Sequence, residues 1–141
     1  MTEQEMMAAL KELFPQASVT ESQASFFWFV EGDEKKMRPF LTVVTTDEHD
    51  AASNLSRPGV YRLNFPLRPP QYRERFGSPP RPNAEWSVLD TGQDYTALDV
   101  LMPHPIYAPM NWVCILNPSH DGFQQLFPLL GEVYAQATTG Q

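Results

Sequence analysis

The stretch GVYRLNFPL at residues 59–67 decides how this chain is read. From Val60 to Leu67 the side chains alternate, so Tyr61, Leu63 and Phe65 share one face while Arg62 and Asn64 fall on the other. That period of two predicts a strand, and Pro58-Gly59 ahead of it predicts a turn. An apolar face of this kind must be covered, so the neighbouring segments have to supply both further strands and a helical layer.

Upstream, Ser25 to Glu31 and Pro39 to Thr46 are dense in aromatic and β-branched residues, and the polar Gly32 to Arg38 segment between them completes the pattern of a β-hairpin. Residues 3–14 carry Met6, Ala9, Leu10, Leu13 and Phe14 at helical spacing. Thr2 and Glu5 form a capping box at the start of that helix, and Pro15 ends it. Downstream, Pro69 to Phe76 predicts a short helix ending at Gly77. SPPRPN at 78–83 excludes regular structure, within a proline-rich excursion over about 66–82. WSVLD at 86–90 reads as a short strand and YTALDVLM at 95–102 as one or two helical turns.

Pro103-His104-Pro105 enforces an extended path, because a residue before proline is pushed out of the helical region. Trp112 to Leu116 predicts a buried strand stopped by Asn117-Pro118. Ser119 or Asp121 then caps a last helix bearing Phe123, Leu126, Phe127, Leu130 and Tyr134. Pro128 kinks that helix or divides it in two, since an interior proline costs about 3 kcal/mol. The expected fold is α+β: one domain over 1–141, with an antiparallel sheet of four or five strands and the N- and C-terminal helices packed on one face.

The 141 residues, 42% of them hydrophobic and 12% aromatic, are enough for one core. No stretch approaches the length of a membrane span, and MTEQEMMAALKELFPQ lacks the basic start and apolar run of a secretory signal. The only cysteine, Cys114, lies in an apolar run and reads as a buried thiol, which fits a reducing cytoplasm.

The net charge of −7 is unevenly placed. Arg57, Arg62, Arg68, Arg73, Arg75 and Arg81 face only Glu74 between residues 51 and 82, while residues 83–141 hold no Lys or Arg. These arginines either form a basic patch or pair with the acid-rich remainder of the chain.

Neither a glycine-rich phosphate loop nor a nucleophile motif is present, and His49, His104 and His120 lie far apart in three loops, so no cofactor, metal set or catalytic residue is assigned. The acidic turn around His49, with Asp47, Glu48 and Asp50, reads as a solvated surface turn. His104, fixed between prolines, reads either as a histidine that locks its loop onto Trp112 or Tyr107, or as an acid–base group.

The function these residues suggest is a small binding or interaction domain. An anionic small ligand would be recognised by Arg62, Asn64 and His104 with Tyr107 and Trp112. The alternative is nucleic-acid binding through the 57–81 arginines and exposed aromatics; an enzyme using His104 comes last. The four aromatics Phe26 to Phe29 must face both sides of a sheet, so part of them either lies under a helix or forms a patch that a partner covers, which brings in a homodimer.

Two blocks, GVYRLNF at 59–65 and ALDVLMPHPIYAPMNWVCILNPS at 97–119, together with LLGEVYAQA, FFWF and PFLTVVTTD, resemble a bacterial family of uncharacterised proteins, domain of unknown function family 6194. That family brings no activity with it. More distantly, Met110-Asn111-Trp112 and Glu132-Val133-Tyr134 resemble places in the MmcQ/YjbR-like group of small α+β domains, which would imply a YjbR-like fold and a link to DNA. The proline-rich segment and the acidity depart from that group.

Overall fold

The computed structural model describes residues 1–32 and 38–139. Its elements are α1 (Glu3–Leu13), β1 (Ser18–Ser22), β2 (Ser25–Phe29), β3 (Leu41–Val44), β4 (Arg62–Pro66), α2 (Pro69–Phe76), β5 (Met102–Pro103), β6 (Trp112–Leu116), α3 (His120–Gln125) and α4 (Phe127–Thr139). The strands form one antiparallel sheet in the order β1-β2-β3-β4-β6-β5.

The alternation in β4 sets the two faces. Leu63 pairs with Val43 and Ile115, and this row, with Trp28, Leu41, Tyr61, Phe65 and Val113, meets Met6, Leu10, Leu126, Leu130 and Val133 from the helices in the main core. Arg62 and Asn64 occupy the opposite face with Thr42, Val44, Cys114 and Leu116, and loops rather than helices cover them. Within the main core, Trp28 is 1% exposed and its indole N–H finds no acceptor among the described residues. An unmet buried donor costs roughly 1–3 kcal/mol.

Local sequence rules account for most of the elements. Thr2 Oγ1 accepts from Glu5 N and the Glu5 carboxylate accepts from Thr2 N, the expected capping box. Gly77, at φ 77°, ends α2. Ser119 Oγ accepts from Gly122 N to start α3, and the chain breaks at Leu126 so that Pro128 falls in the first turn of α4, where its missing N–H is not needed. The last helix is therefore two.

Three expectations are corrected. The sheet has six strands rather than four or five, because Ser18–Ser22 joins it as an edge without an apolar alternation, turning into β2 through Gln23 and Ala24, both at positive φ. The other unforeseen strand, β5, is only two residues long.

WSVLD is no strand and YTALDVLM no helix. There Asp90 and Asp94 accept from the N–H groups of Gly92 and Thr96, and such side-chain bonds hold the backbone in turns. Phe27 lies neither under a helix nor bare, since His49 packs edge-on against it at 6.3 Å. The Gly32 to Arg38 connection of the hairpin falls largely outside the described residues. Among the described residues no helix is long and apolar enough to cross a membrane.

Candidate functional site

Two adjacent strands, β3 and β4, place Thr42, Asn64 and Arg62 on the loop-covered face. Asn64 Nδ2 donates to Thr42 Oγ1 at 2.9 Å, and Arg62 Nε donates to Asn64 Oδ1 at 3.0 Å. The guanidinium then forms a fork with Asp50: Nη1 donates to Oδ1 at 3.0 Å and Nη2 to Oδ2 at 2.8 Å. Nη1 also donates to Ser53 Oγ at 3.0 Å. The Arg62 side chain is 1% exposed and that of Asp50 6%, so this is a buried, bidentate ion pair. Burial alone would raise the Asp50 pKa, but the hydrogen bonds and charge of Arg62 outweigh it and hold the carboxyl below its ordinary value.

The turn that delivers Asp50 is built for the purpose rather than merely solvated. Asp47 Oδ1 accepts from Leu55 N at 2.8 Å, His49 Nε2 bonds Ser25 Oγ at 3.1 Å, and Arg57 donates to the carbonyls of Ser53, Asn54 and Thr96. The arginine segment thus divides. Arg57 and Arg62 serve the chain internally, Arg68 reaches Glu132 at 3.7 Å on the surface, and Arg73, Arg75 and Arg81 are exposed.

His104 is 3% exposed. Its backbone N–H donates to Trp112 O, and its ring Nδ1 accepts from the N–H groups of Ile106 and Tyr107, both at 3.0 Å. Because Nδ1 is the acceptor, the ring proton of the neutral form sits on Nε2. Burial, with the charge of Arg62 adding to it, lowers the pKa to about 3. The loop is locked by the ring accepting hydrogen bonds.

Tyr107 lies over His104, ring centres 5.0 Å apart, and Trp112 stands edge-on to it at 6.4 Å. Trp86 meets Tyr107 in turn, ring centres 6.3 Å apart. Trp86 and Tyr107 are each 45% exposed, and Met110, one turn on, is 57% exposed. The five residues singled out in the sequence therefore fall into two groups, Arg62 with Asn64 and His104 with Tyr107 and Trp112, close enough that the Arg62 charge is felt at His104.

Sequence reasoning missed Asp50, Ser53 and Trp86. A lone arginine between apolar strand positions signals that a carboxylate must meet it, but not which one. Among the described residues no three His, Cys, Asp or Glu side chains converge as metal ligands.

Cys114, beside Asn64 on the same face, is buried, and burial pushes its thiol up to about 12. Labelling by a disulfide reagent at pH 8 is expected to be at least ~100-fold slower than for the urea-unfolded chain. Rapid stoichiometric labelling of the folded protein would contradict this burial.

No curated protein and no solved structure matches the chain. A model described as a family of unknown function, DUF6194, matches residues 1–141, in keeping with the MPHPIY and NWVCILNPS blocks that line this face. The chain therefore belongs to the DUF6194 family of unknown function.

Proposed function

We propose that this protein is a non-enzymatic interaction domain whose contact surface is the aromatic shelf of Trp86 and Tyr107, with Met110 beside it. The observation that carries the reading is that two large half-exposed rings, Trp86 and Tyr107, pack against each other while Tyr107 rests on the buried His104. Rigid aromatic anchors of this kind lose little conformational freedom on binding, and they dominate interface energetics.

Catalysis by the same residues is disfavoured on chemical grounds. An imidazole with a pKa of about 3 is uncharged near neutrality and so has no imidazolium proton to give as an acid, and its one lone pair, on Nδ1, is already taken by two backbone donors, so it cannot act as a base. Anion capture at Arg62 is disfavoured too, because Asp50 already occupies the position that a carboxylate or phosphate would take. The single buried thiol suits a reducing cytoplasm.

A photo-reactive amino acid in place of Trp86 is expected to give one discrete adduct of raised mass in cytosol from the source cells. The same group at exposed Gln124 is expected to give none. Adducts at both positions, or at neither, sink the proposal.

The exposed Arg73, Arg75 and Arg81 favour a second reading, single-stranded nucleic acid stacking on the shelf. The likeness to the MmcQ/YjbR-like group points the same way. It requires a labelled oligonucleotide to bind with an affinity that falls steeply with salt and drops in Trp86→Ala.

A further inference from the structure

The run Ser78 to Pro82 holds prolines at 79, 80 and 82. Each proline fixes its own φ and pushes the residue before it out of the helical region, which confines the whole run to extended, polyproline-type backbone. Residues 79–83 accordingly contain no turn or bend, and no hydrogen bond among the described residues engages 78–82. Arg81 and Pro82 are exposed. Such a segment has little conformational freedom left to lose on binding, and the surfaces that recognise it are lined by aromatic rings.

The Trp86–Tyr107 shelf is a surface of that kind. Asn83 O accepts from Trp86 N, Asn83 Oδ1 accepts from Ser87 N at 2.8 Å, and Asn83 Nδ2 donates to Ser87 Oγ at 2.9 Å. Held by these bonds, Trp86 sits at φ 51°, a region that a bulky L residue enters only when its surroundings impose it. The clamp presents the indole half exposed beside Tyr107. The charges match as well: Arg81 lies in the proline run, whereas residues 84–105 carry Glu85, Asp90, Asp94 and Asp99 and no Lys or Arg.

Within one copy the segment does not cover its own shelf, since Trp86, Tyr107 and Pro82 all stay exposed. A second copy brings the same segment and the same shelf. We infer that the shelf takes a polyproline-type segment and that its occupant is Pro79–Pro82 of a second copy, exchanged reciprocally about a two-fold axis. Each copy gives one segment and receives one, so the assembly closes as a dimer. The inference rests on the shelf being a contact surface and names what it contacts.

Sedimentation equilibrium of the full chain over a concentration series is expected to show a mass rising from one copy towards two. Trp86→Ala, and separately Pro79→Ala with Pro82→Ala, are expected to abolish the rise; these side chains lie outside the core. The two lesions are complementary, because the proline variant keeps its shelf and the tryptophan variant keeps its segment. Unlabelled Trp86→Ala chain added to the ¹⁵N-labelled proline variant is therefore expected to move the Trp86 indole N–H signal saturably and to leave those of Trp28 and Trp112 in place. A synthetic FGSPPRPN peptide, residues 76–83, is expected to move the same signal, and Arg81→Glu in the peptide to weaken it about fivefold. The inference is overturned by a mass of one copy at every concentration, by a dimer that survives both variants, or by an unmoved Trp86 signal in the mixture. A cytosolic photo-adduct at Trp86 with the mass of a different protein overturns the second copy as occupant and leaves the shelf standing as a contact surface; no adduct overturns both.

Discussion

Asp50→Ala is expected to lower the unfolding free energy by about 3–5 kcal/mol, because it strands the Arg62 guanidinium in the interior with no counter-charge. Typical domains hold only about 5–15 kcal/mol in all, so this one truncation removes a large share of the margin. The loss has two parts: the fork of two charge-assisted hydrogen bonds disappears, and the loop that Asp50 brings down onto β4 loses its anchor. Urea denaturation of wild type and variant at pH 7.5 measures the change.

Replacing the pair together, as Arg62→Met with Asp50→Leu, is expected to recover much of the loss, since no charge is then left buried. A change below about 1 kcal/mol for Asp50→Ala would show that water reaches Arg62 and that the pair is not a structural unit.

Acidification should weaken the fold well before its carboxylates titrate. The unfolded chain takes up the His104 proton at its ordinary pKa of 6.5, whereas the folded chain refuses it down to about 3. Between those limits the unfolded state holds the extra proton, so stability is full above pH 6.5 and declines as pH falls, by about 1.4 kcal/mol per pH unit. From pH 6.5 to 4.5 the His104 contribution is therefore a loss of about 2 kcal/mol.

Asp50 acts in the same direction further down. Its folded pKa lies below the ordinary carboxyl value, so the stability it contributes is present above that value and is lost as pH falls through it. Urea midpoints at pH 7.5, 6.5, 5.5 and 4.5 trace the profile. His104→Asn keeps an acceptor for Ile106 N and Tyr107 N but cannot titrate, and it is expected to flatten this part of the curve. A variant that retained the full wild-type slope would place the titrating group elsewhere.

The parts of this fold written in the sequence are those governed by neighbours in the chain. The capping box at Thr2, the alternation through β4, the glycine stop after α2 and the proline-forced break before α4 each follow from residues within a few positions. What escaped the sequence is decided at a distance. Ser18–Ser22 becomes a strand because β2 offers it an edge, although only Val19 in it is apolar.

The site divides in the same way. Arg62 and Asn64 were visible as polar residues on one strand face, and His104 was marked by its flanking prolines. Asp50, twelve residues from its partner in an acidic turn, carried no local sign of being buried, and Trp86 meets Tyr107 only through the tertiary path of the 84–105 loop.

The two margins of the sheet are unequal. β1 presents five residues of strand, whereas the opposite margin is the two-residue β5, closed off by Pro103 and by the loop in which Leu89 N bonds Pro105 O. Runaway growth of one sheet onto another requires each molecule to receive a neighbour on one side and offer a template on the other. Among the described residues there is a template on one side only. Association of copies by strand pairing would thus close at two rather than grow into filaments.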